Sequence, residues 1–210
     1  MILDYRRKMT LKLIVEKLAW DNKKFITSDE IKDYCRKLSL DYLPTIKYLL
    51  RNKYATRIFK GIFYVYSIEE RKLGKSEMNF FEIIKEALKI KGIKNWYFGL
   101  ESGLKFNNLT HEYFVIDYII NNKIFRAKPI IIMGRKVKFY KLSSNMFSFG
   151  IIKKNINYSD AEKTLLDLLY LKHYTKEEFE EIAESLSKTK LIKYAKNYNK
   201  RVITLIKEMR

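Results

Sequence analysis

The stretch from Ile26 to Tyr66, ITSDEIKDYCRKLSLDYLPTIKYLLRNKYATRIFKGIFYVY, constrains the chain more than any other, because it carries start and stop signals for several elements in a fixed order. Thr27 and Glu30 have capping-box spacing, with Ser28 and Asp29 as alternative caps. Ile31, Tyr34, Cys35 and Leu38 then recur at helical spacing, so one face of this helix is apolar. Leu38-Ser39-Leu40 reads as a turn, and Asp41 as the cap of a second helix. Pro44 sits in the first turn of that helix, where a missing N–H costs nothing because the donor has no intrahelical partner there. Leu43, Ile46, Leu49 and Leu50 form its expected inward stripe. Tyr42, Thr45, Lys47, Tyr48 and Arg51 are left for the surface.

After Asn52-Lys53 the pattern becomes strand-like. Tyr54 to Phe59 and Ile62 to Tyr66 are rich in aromatic and β-branched residues, and Lys60-Gly61 joins them, with Gly61 supplying the positive φ of a tight hairpin turn. Helix, turn, helix and hairpin in this order predict a winged helix-turn-helix, whose chemistry is DNA binding. A helix in the major groove needs short polar groups for base edges and cations for phosphates. Tyr42, Thr45 and Tyr48 are the candidates for base edges. Lys47, Arg51, Lys53, Arg57 and Lys60 are the candidates for phosphates, the last two near the wing tip. The competing reading is a protein-docking module with a solvated lysine-rich face.

Charge favours a polyanionic partner. The 210 residues hold 43 Lys and Arg against 24 Asp and Glu. The excess is uneven: 18 basic against 9 acidic residues over 1–76, 14 against 6 over 77–154, and 11 against 9 over 155–210. No lysine-rich amphipathic helix with an unburied apolar face is evident, and the longest apolar stretch, Pro129 to Met133, is far too short to span a bilayer, so no membrane partner is expected. The first residues, MILDYRRKMTLKLIVEK, are interrupted by charge too often for a signal peptide. Cys35, the only cysteine, lies on an apolar helical face and reads as a core thiol. A single thiol suits a reducing cytoplasm.

Leu11, Ile14, Val15 and Leu18 predict a helix from about Lys8 to Trp20, and Phe25-Ile26 a short strand beside the wing. The polar segment 67–76, with Gly74, is the expected break, giving a first domain over 1–70 and a second over 77–210. The second is expected to open with a helix from Glu77 to Ile90 and a short helix carrying Tyr97, Leu100, Glu101 and Leu104. Gly99 and Gly103 leave one side of that short helix small for a close neighbour. Strands are expected over Tyr113–Ile120, Lys123–Lys128, Pro129–Met133, Val137–Leu142 and Phe147–Ile152, with Gly134-Arg135 as a hairpin turn. Four helices follow, carrying Ala161 to Leu169, Phe179 to Leu186, Leu191 to Ala195 and Val202 to Met209. The expected class is α+β: an N-terminal winged helix-turn-helix, then a domain with a small antiparallel sheet and flanking helices.

Catalytic signals are sparse. The two histidines, His111 and His173, lie far apart in sequence, and no phosphate-binding glycine loop or nucleophile elbow occurs. The acidic run Glu177 to Glu181 opens a helix, where carboxylates face the favourable end of the dipole. One cluster has two readings. Asp160, Lys163, Thr164 and Asp167 follow at spacings of three and four on one helical face. A nuclease or nucleotidyltransferase would use such carboxylates to hold Mg²⁺, whereas the structural reading is a helix cap followed by a lysine–aspartate pair one turn apart. No cofactor and no catalytic residue is assigned.

The same cluster carries a resemblance. D-A-E-K-T-L-L-D-L-L is similar to a characteristic segment of the AbiEi family, the antitoxins of type IV toxin–antitoxin systems. W-Y-F-G-L-E-S-G-L resembles another part of that family, although Asn107-Asn108-Leu109 stands where the family often has His-Gly-Leu. The resemblance implies an N-terminal winged helix that binds inverted repeats in double-stranded DNA upstream of its own operon and represses it. It implies a second domain that counteracts a nucleotidyltransferase-like toxin without needing a stable complex. Asp160, Glu162, Lys163, Thr164 and Asp167 match the segment. The alternatives are a plain transcription regulator with a ligand-sensing or dimerising domain, and a metal-dependent enzyme acting on nucleic acid or nucleotides.

Overall fold

The structure, a computed structural model, describes residues 2–208, with side chains from Leu11 onward. It is a mixed α/β protein with ten α-helices and two sheets among the described residues. It divides into two compact units, Met1–Gly92 and Ile93–Arg210.

The first unit runs α1 (Ile2–Trp20), β1 (Phe25–Thr27), α2 (Ser28–Lys37), α3 (Tyr42–Arg51), β2 (Ala55–Phe59), β3 (Ile62–Val65), α4 (Ile68–Leu73) and α5 (Phe80–Ile90). Its three strands form an antiparallel sheet in the order β1-β3-β2. The capping box at the start of α2 is closed: the Glu30 N–H donates to Thr27 Oγ1 at 3.3 Å, and the Thr27 N–H donates to Glu30 Oε2 at 2.8 Å. Ile14 and Leu18 of α1 meet Ile31 and Cys35 of α2, Ile46 and Leu49 of α3, and Phe63 and Val65 of β3 in one core. Cys35 is a buried free thiol, as its place on the apolar stripe requires. The β2–β3 hairpin turns at Lys60-Gly61, where Gly61 has φ +82°, and a bulge between Arg57 and Phe59 breaks the register of β2.

Two expectations for this unit change. Leu43 is 65% exposed, and Thr45 takes its inward place at 1% exposure. The reason is local: the Thr45 hydroxyl donates to the Asp41 carbonyl at 2.7 Å, one turn back, so a buried threonine satisfies its own polar atom at the helix start. The polar segment 67–76, expected as the break, contains α4. Ser67 caps it, and Glu70, 1% exposed, accepts the N–H of Ser67 at 2.6 Å, the N–H of Glu77 at 2.8 Å, the Lys24 ammonium at 3.1 Å and the Tyr64 hydroxyl. The α5 helix packs on β2 and β3. The division therefore falls after Gly92, and the helix read as opening the second domain belongs to the first.

The second unit runs β4 (Trp96–Phe98), α6 (Glu101–Phe106), β5 (Ile116–Asn121), β6 (Ile130–Ile132), β7 (Arg135–Lys141), a 3-10 turn (Ser144–Phe147), β8 (Ile151–Lys153), β9 (Asn157–Ser159), α7 (Ala161–Tyr170), α8 (Lys176–Ala183), α9 (Lys188–Ala195) and α10 (Lys200–Glu208). Its six strands lie in the order β6-β7-β5-β4-β9-β8. The sheet is mixed, not antiparallel as expected: β5 pairs with β7, and β4 with β9, in parallel. The β6–β7 hairpin folds so that its longer strand lies inside. β7 buries Val137 and Phe139 against the sheet, while the three-residue β6, preceded by Pro129, takes the edge.

The strand expected over Lys123–Lys128 is absent because Asn121 organises a turn there. Its Oδ1 accepts from the N–H groups of Lys123 and Ile124 at 2.9 and 2.5 Å, and its amide donates to the Tyr140 carbonyl at 3.1 Å. The helix expected through Tyr97 splits into β4 and α6 because the chain reverses at Leu100, with φ +53° and ψ −135°. Helix α7 is the centre of this unit, buried at every position from Glu162 to Leu169 and packed against α6, α8, α9 and α10. No helix among the described residues is long and apolar enough to cross a membrane.

Candidate functional site

Two groups of residues stand out chemically. The first is the exposed side of α3 with the β2–β3 hairpin. Ile46 and Leu49 hold α3 in the core and fix which side faces out. Leu43, Lys47 and Arg51 follow at intervals of four residues and form its exposed row. Lys53, just past the helix with φ +54°, Arg57 on β2 and Lys60 at the turn are exposed as well. The Arg57 guanidinium lies 5.6 Å from the centre of the Phe63 ring, which directs it across the hairpin face.

The residues expected at base edges are placed differently. Thr45 is inside. Tyr42 is half-buried, its hydroxyl 2.9 Å from Ser28 Oγ and its ring 5.8 Å below the Lys32 ammonium. Tyr48 stacks on Tyr54 with ring centres 5.8 Å apart. Burial, then the hydrogen bond with Tyr54, pushes the Tyr48 hydroxyl pKa up. Of the eight residues read as DNA contacts, the five cations are exposed, the two tyrosines are engaged in the fold, and the threonine is buried. The residue missed was Leu43, whose i to i+3 spacing from Ile46 made it look like core.

The second group is the Asp160–Asp167 segment. Asp160 caps α7, accepting the Lys163 N–H at 2.9 Å on Oδ1; its Oδ2 takes the Tyr194 hydroxyl at 3.0 Å and the Lys190 ammonium at 2.9 Å. Lys190 also reaches Glu162 at 2.7 Å, so one cation closes two carboxylates from α9. Burial pulls the Lys190 pKa down, but hydrogen bonds to Glu162 and Asp160 outweigh it and hold the ammonium above the usual lysine range. Thr164 Oγ1 lies 2.6 Å from Ser159 Oγ.

Asp167 is wholly buried and takes one tyrosine hydroxyl on each oxygen, Tyr198 on Oδ1 and Tyr97 on Oδ2, both at 2.7 Å. Lys163, also wholly buried, stands 3.5 Å from Asp167 Oδ1 inside an aromatic box of Phe149 at 4.3 Å, Tyr97 at 4.9 Å and Tyr198 at 5.7 Å. Burial draws the Lys163 pKa below the usual lysine range against the pull of Asp167. Gly150 makes room for this lysine: a Cβ there would lie 2.7 Å from Lys163 Cβ. Both features of the structural reading are therefore present: the Asp160 cap is half-buried beside Lys190, and the lysine–aspartate pair faces the interior and not solvent. Among the described residues no group of three or more His, Cys, Asp or Glu is placed to hold a metal ion.

A third cluster escaped sequence reading. His173 bridges Glu101 and Tyr140, with Nδ1 2.8 Å from Glu101 Oε1 and Nε2 2.8 Å from the Tyr140 hydroxyl. The Tyr118 ring packs edge-on against the imidazole at 5.3 Å. Burial, then the Glu101 charge, pushes the Tyr118 hydroxyl up to about 12. Glu101 opens α6 directly after the strained Leu100. No sequence signal links residues 72 positions apart.

No family model matches the chain, and no curated protein does. A solved structure does: "Crystal structure of RV2827C protein from Mycobacterium tuberculosis" aligns over 96% of this chain and 78% of that one, with a TM-score of 0.58 and 10% sequence identity. At that identity the likeness is one of fold alone.

Proposed function

We propose that the chain is a DNA-binding repressor that grips double-stranded DNA through α3 and the β2–β3 hairpin in the manner of a winged helix-turn-helix. In this reading it binds inverted repeats ahead of its own operon and serves as antitoxin to a nucleotidyltransferase-like toxin of a type IV pair. It works in the cytoplasm without a cofactor or a catalytic step. The observation that carries the DNA half is the exposed row Leu43, Lys47 and Arg51 on α3, with Arg57 and Lys60 on the hairpin that follows it. In the major groove Leu43 would pack on a thymine methyl, while Lys47 and Arg51 reach base edges or the flanking phosphates. Arg57 and Lys60 would neutralise backbone phosphates beside the groove.

The antitoxin half rests on the resemblance of the Asp160–Leu169 segment. In this reading Asp160, Glu162, Lys163, Thr164 and Asp167 hold the second unit together, and neutralisation belongs to its outer surface. The metal-dependent alternative is disfavoured by Asp167, whose oxygens are both taken by tyrosine hydroxyls in a site with no exposure.

The test has two arms. The neighbouring operon gene is expressed from an unrelated promoter, alone, with the full chain, and with the full chain carrying Lys47→Glu and Arg51→Glu. Growth arrest by the neighbour, relieved equally by both versions, is the expected result. A harmless neighbour removes the antitoxin role. In the second arm the full chain is titrated onto a duplex from ahead of its own gene and onto an unrelated duplex. Equal affinity for the two removes the repressor role.

A further inference from the structure

Between the end of α1, the end of β3 and the start of α4 the first unit leaves a pocket of about 160 Å³. Val15 and Leu18 of α1 and Val65 of β3 give it apolar walls, with Tyr54 and Tyr66 beside them. Its volume is close to the ~150 Å³ of an apolar cavity that takes up a benzene ring. The pocket shares no residue with the α3 row or the hairpin turn.

Three cations line it, and two of them are committed to acids elsewhere. Lys23 pairs with Glu30 at 2.9 Å, and Lys24 with Glu70 at 3.1 Å and Glu77 at 2.6 Å. Arg71 is different. Among the described residues no carboxylate pairs with it, and its Nε is buried without a hydrogen-bond partner, a state that proteins rarely leave unanswered. Its guanidinium lies 4.4 Å from the centre of the Tyr54 ring. Packing on a ring holds the guanidinium in place and leaves the in-plane N–H groups of its two Nη atoms for an acceptor, the fork that a carboxylate fills with two parallel hydrogen bonds. The carboxylate on the pocket wall, Glu69, is turned to its own N–H and the Ser67 side chain at the start of α4. Two positions apart on a helix, Glu69 and Arg71 do not face each other.

We propose that this pocket binds a small organic carboxylate with a compact apolar body, an aromatic or branched aliphatic acid. The carboxylate sits on the Arg71 fork, and the body fills the space against Val15, Leu18 and Val65. One uncommitted cation answers one negative charge, so a monocarboxylate fits the site better than a phosphate ester does. An occupant would lie against Tyr54, whose ring stacks on Tyr48 of α3, so the site stands one ring away from that helix. The proposal concerns ligand binding and needs no DNA.

The test is calorimetric titration of the full chain with sodium benzoate as the probe. One benzoate per chain is expected, with a Kd below about 1 mM. Acetate, which has the charge without the body, and benzamide, which has the body without the charge, are each expected to bind at least about tenfold more weakly. Acetate also controls for unspecific anion binding to a chain of net charge +19. Arg71→Met removes the fork, and Ala19→Phe, on an exposed position of the pocket wall, fills the space while leaving the arginine in place. Each is expected to weaken benzoate at least about tenfold with unchanged circular dichroism. Ala19→Phe decides the matter if Arg71→Met disturbs the fold. A benzoate Kd above about 1 mM overturns the proposal. So does acetate or benzamide binding as tightly as benzoate, or a folded variant that binds benzoate like the wild type. None of these outcomes touches DNA binding, which separates failure here from failure of the repressor reading.

Discussion

Tyr97 in β4 and Asp167 in α7, seventy residues apart in the chain, are joined by a hydrogen bond of 2.7 Å from the tyrosine hydroxyl to Oδ2. Tyr198, between α9 and α10, donates to the other oxygen at the same distance, and Lys163 lies behind both rings. A strand, the central helix and the C-terminal helices are thereby tied at one carboxylate. Burial, reinforced by the Asp167 charge, pushes both tyrosine pKa values far above the usual range, so both stay donors at any ordinary pH.

Asp167→Asn is the sharpest probe of this tie. The amide supplies one acceptor where two hydroxyls donate, and it leaves the Lys163 cation buried without its counter-charge. A loss of about 3–5 kcal/mol is expected from urea unfolding of the full chain. Adding Lys163→Met removes the stranded cation, so the double variant should be at least about 1 kcal/mol more stable than the two single losses predict. Strict additivity would mean the pair is not coupled.

Gly103 sets how close α6 comes to the start of α7. A Cβ there would lie 2.5 Å from Thr164 Oγ1 and 2.8 Å from Ser159 Oγ, and neither can swing away because both are buried. Gly103→Ala is therefore expected to cost about 2–3 kcal/mol, measured as a lower unfolding midpoint. Thr164→Ala in the same chain removes the threonine's share of the clash, leaving Ser159 Oγ, and should recover part of that loss. The small-residue spacing in the sequence pointed to this close approach; what it could not say was which element would use it.

Much of the first unit was legible because its signals are local. Thr27 and Glu30 are three residues apart, Lys60-Gly61 is a two-residue turn, and the α2 stripe repeats within ten residues. Leu43 and Thr45 were exchanged because periodicity assigns an apolar residue inward and has no knowledge of a hydroxyl that can satisfy itself on Asp41. The 67–76 segment looked like a linker because its apolar content is low. It folds because Glu70 gathers donors from Tyr64, Ser67, Glu77 and Lys24, a set spread over more than fifty positions. The parallel pairings β5–β7 and β4–β9 and the box around Lys163 are non-local in the same sense. The Asp160–Asp167 spacing announced a polar face, and only packing decides that the face is turned inward.

Glu70 makes the first unit sensitive to acid. Burial alone would raise its pKa, but the hydrogen bonds from the Tyr64 hydroxyl, the Ser67 and Glu77 amides and the Lys24 ammonium win and hold it at about 2, against 4.5 for an ordinary glutamate. As pH falls, the unfolded chain takes the proton first. The stabilisation, on the order of 3 kcal/mol, is complete above pH ~5, declines below 4.5 and is gone as pH passes about 2. Hydrogen exchange of the β2–β3 amides should show this decline between pH 5 and 3. Glu70→Gln should exchange faster at pH 7 and lose most of the pH dependence. A variant with the wild-type slope would place the acid sensitivity elsewhere.

The α3 row and the hairpin make separable predictions for DNA, because they use different chemistry. Arg57 and Lys60 are solvent-exposed cations on a strand and a turn, so in the proposed complex they would meet phosphates. Arg57→Ala with Lys60→Ala should weaken binding to every duplex by a similar factor and reduce the salt slope by about 2, one unit for each phosphate left without its cation. Leu43 is apolar and stands in the row that would enter the groove, so Leu43→Ala should leave the salt slope unchanged and relax preference at one or two positions of the operator. Thr45→Val serves as the control: its hydroxyl is bound to Asp41 inside the helix, and it should alter stability without altering which sequence is preferred. Fluorescence anisotropy with the operator duplex and a set of single-base variants, each at several salt concentrations, reads all three. A Thr45→Val chain that changes preference, or an Arg57→Ala, Lys60→Ala chain with the wild-type slope, would mean the DNA lies on another face of the first unit.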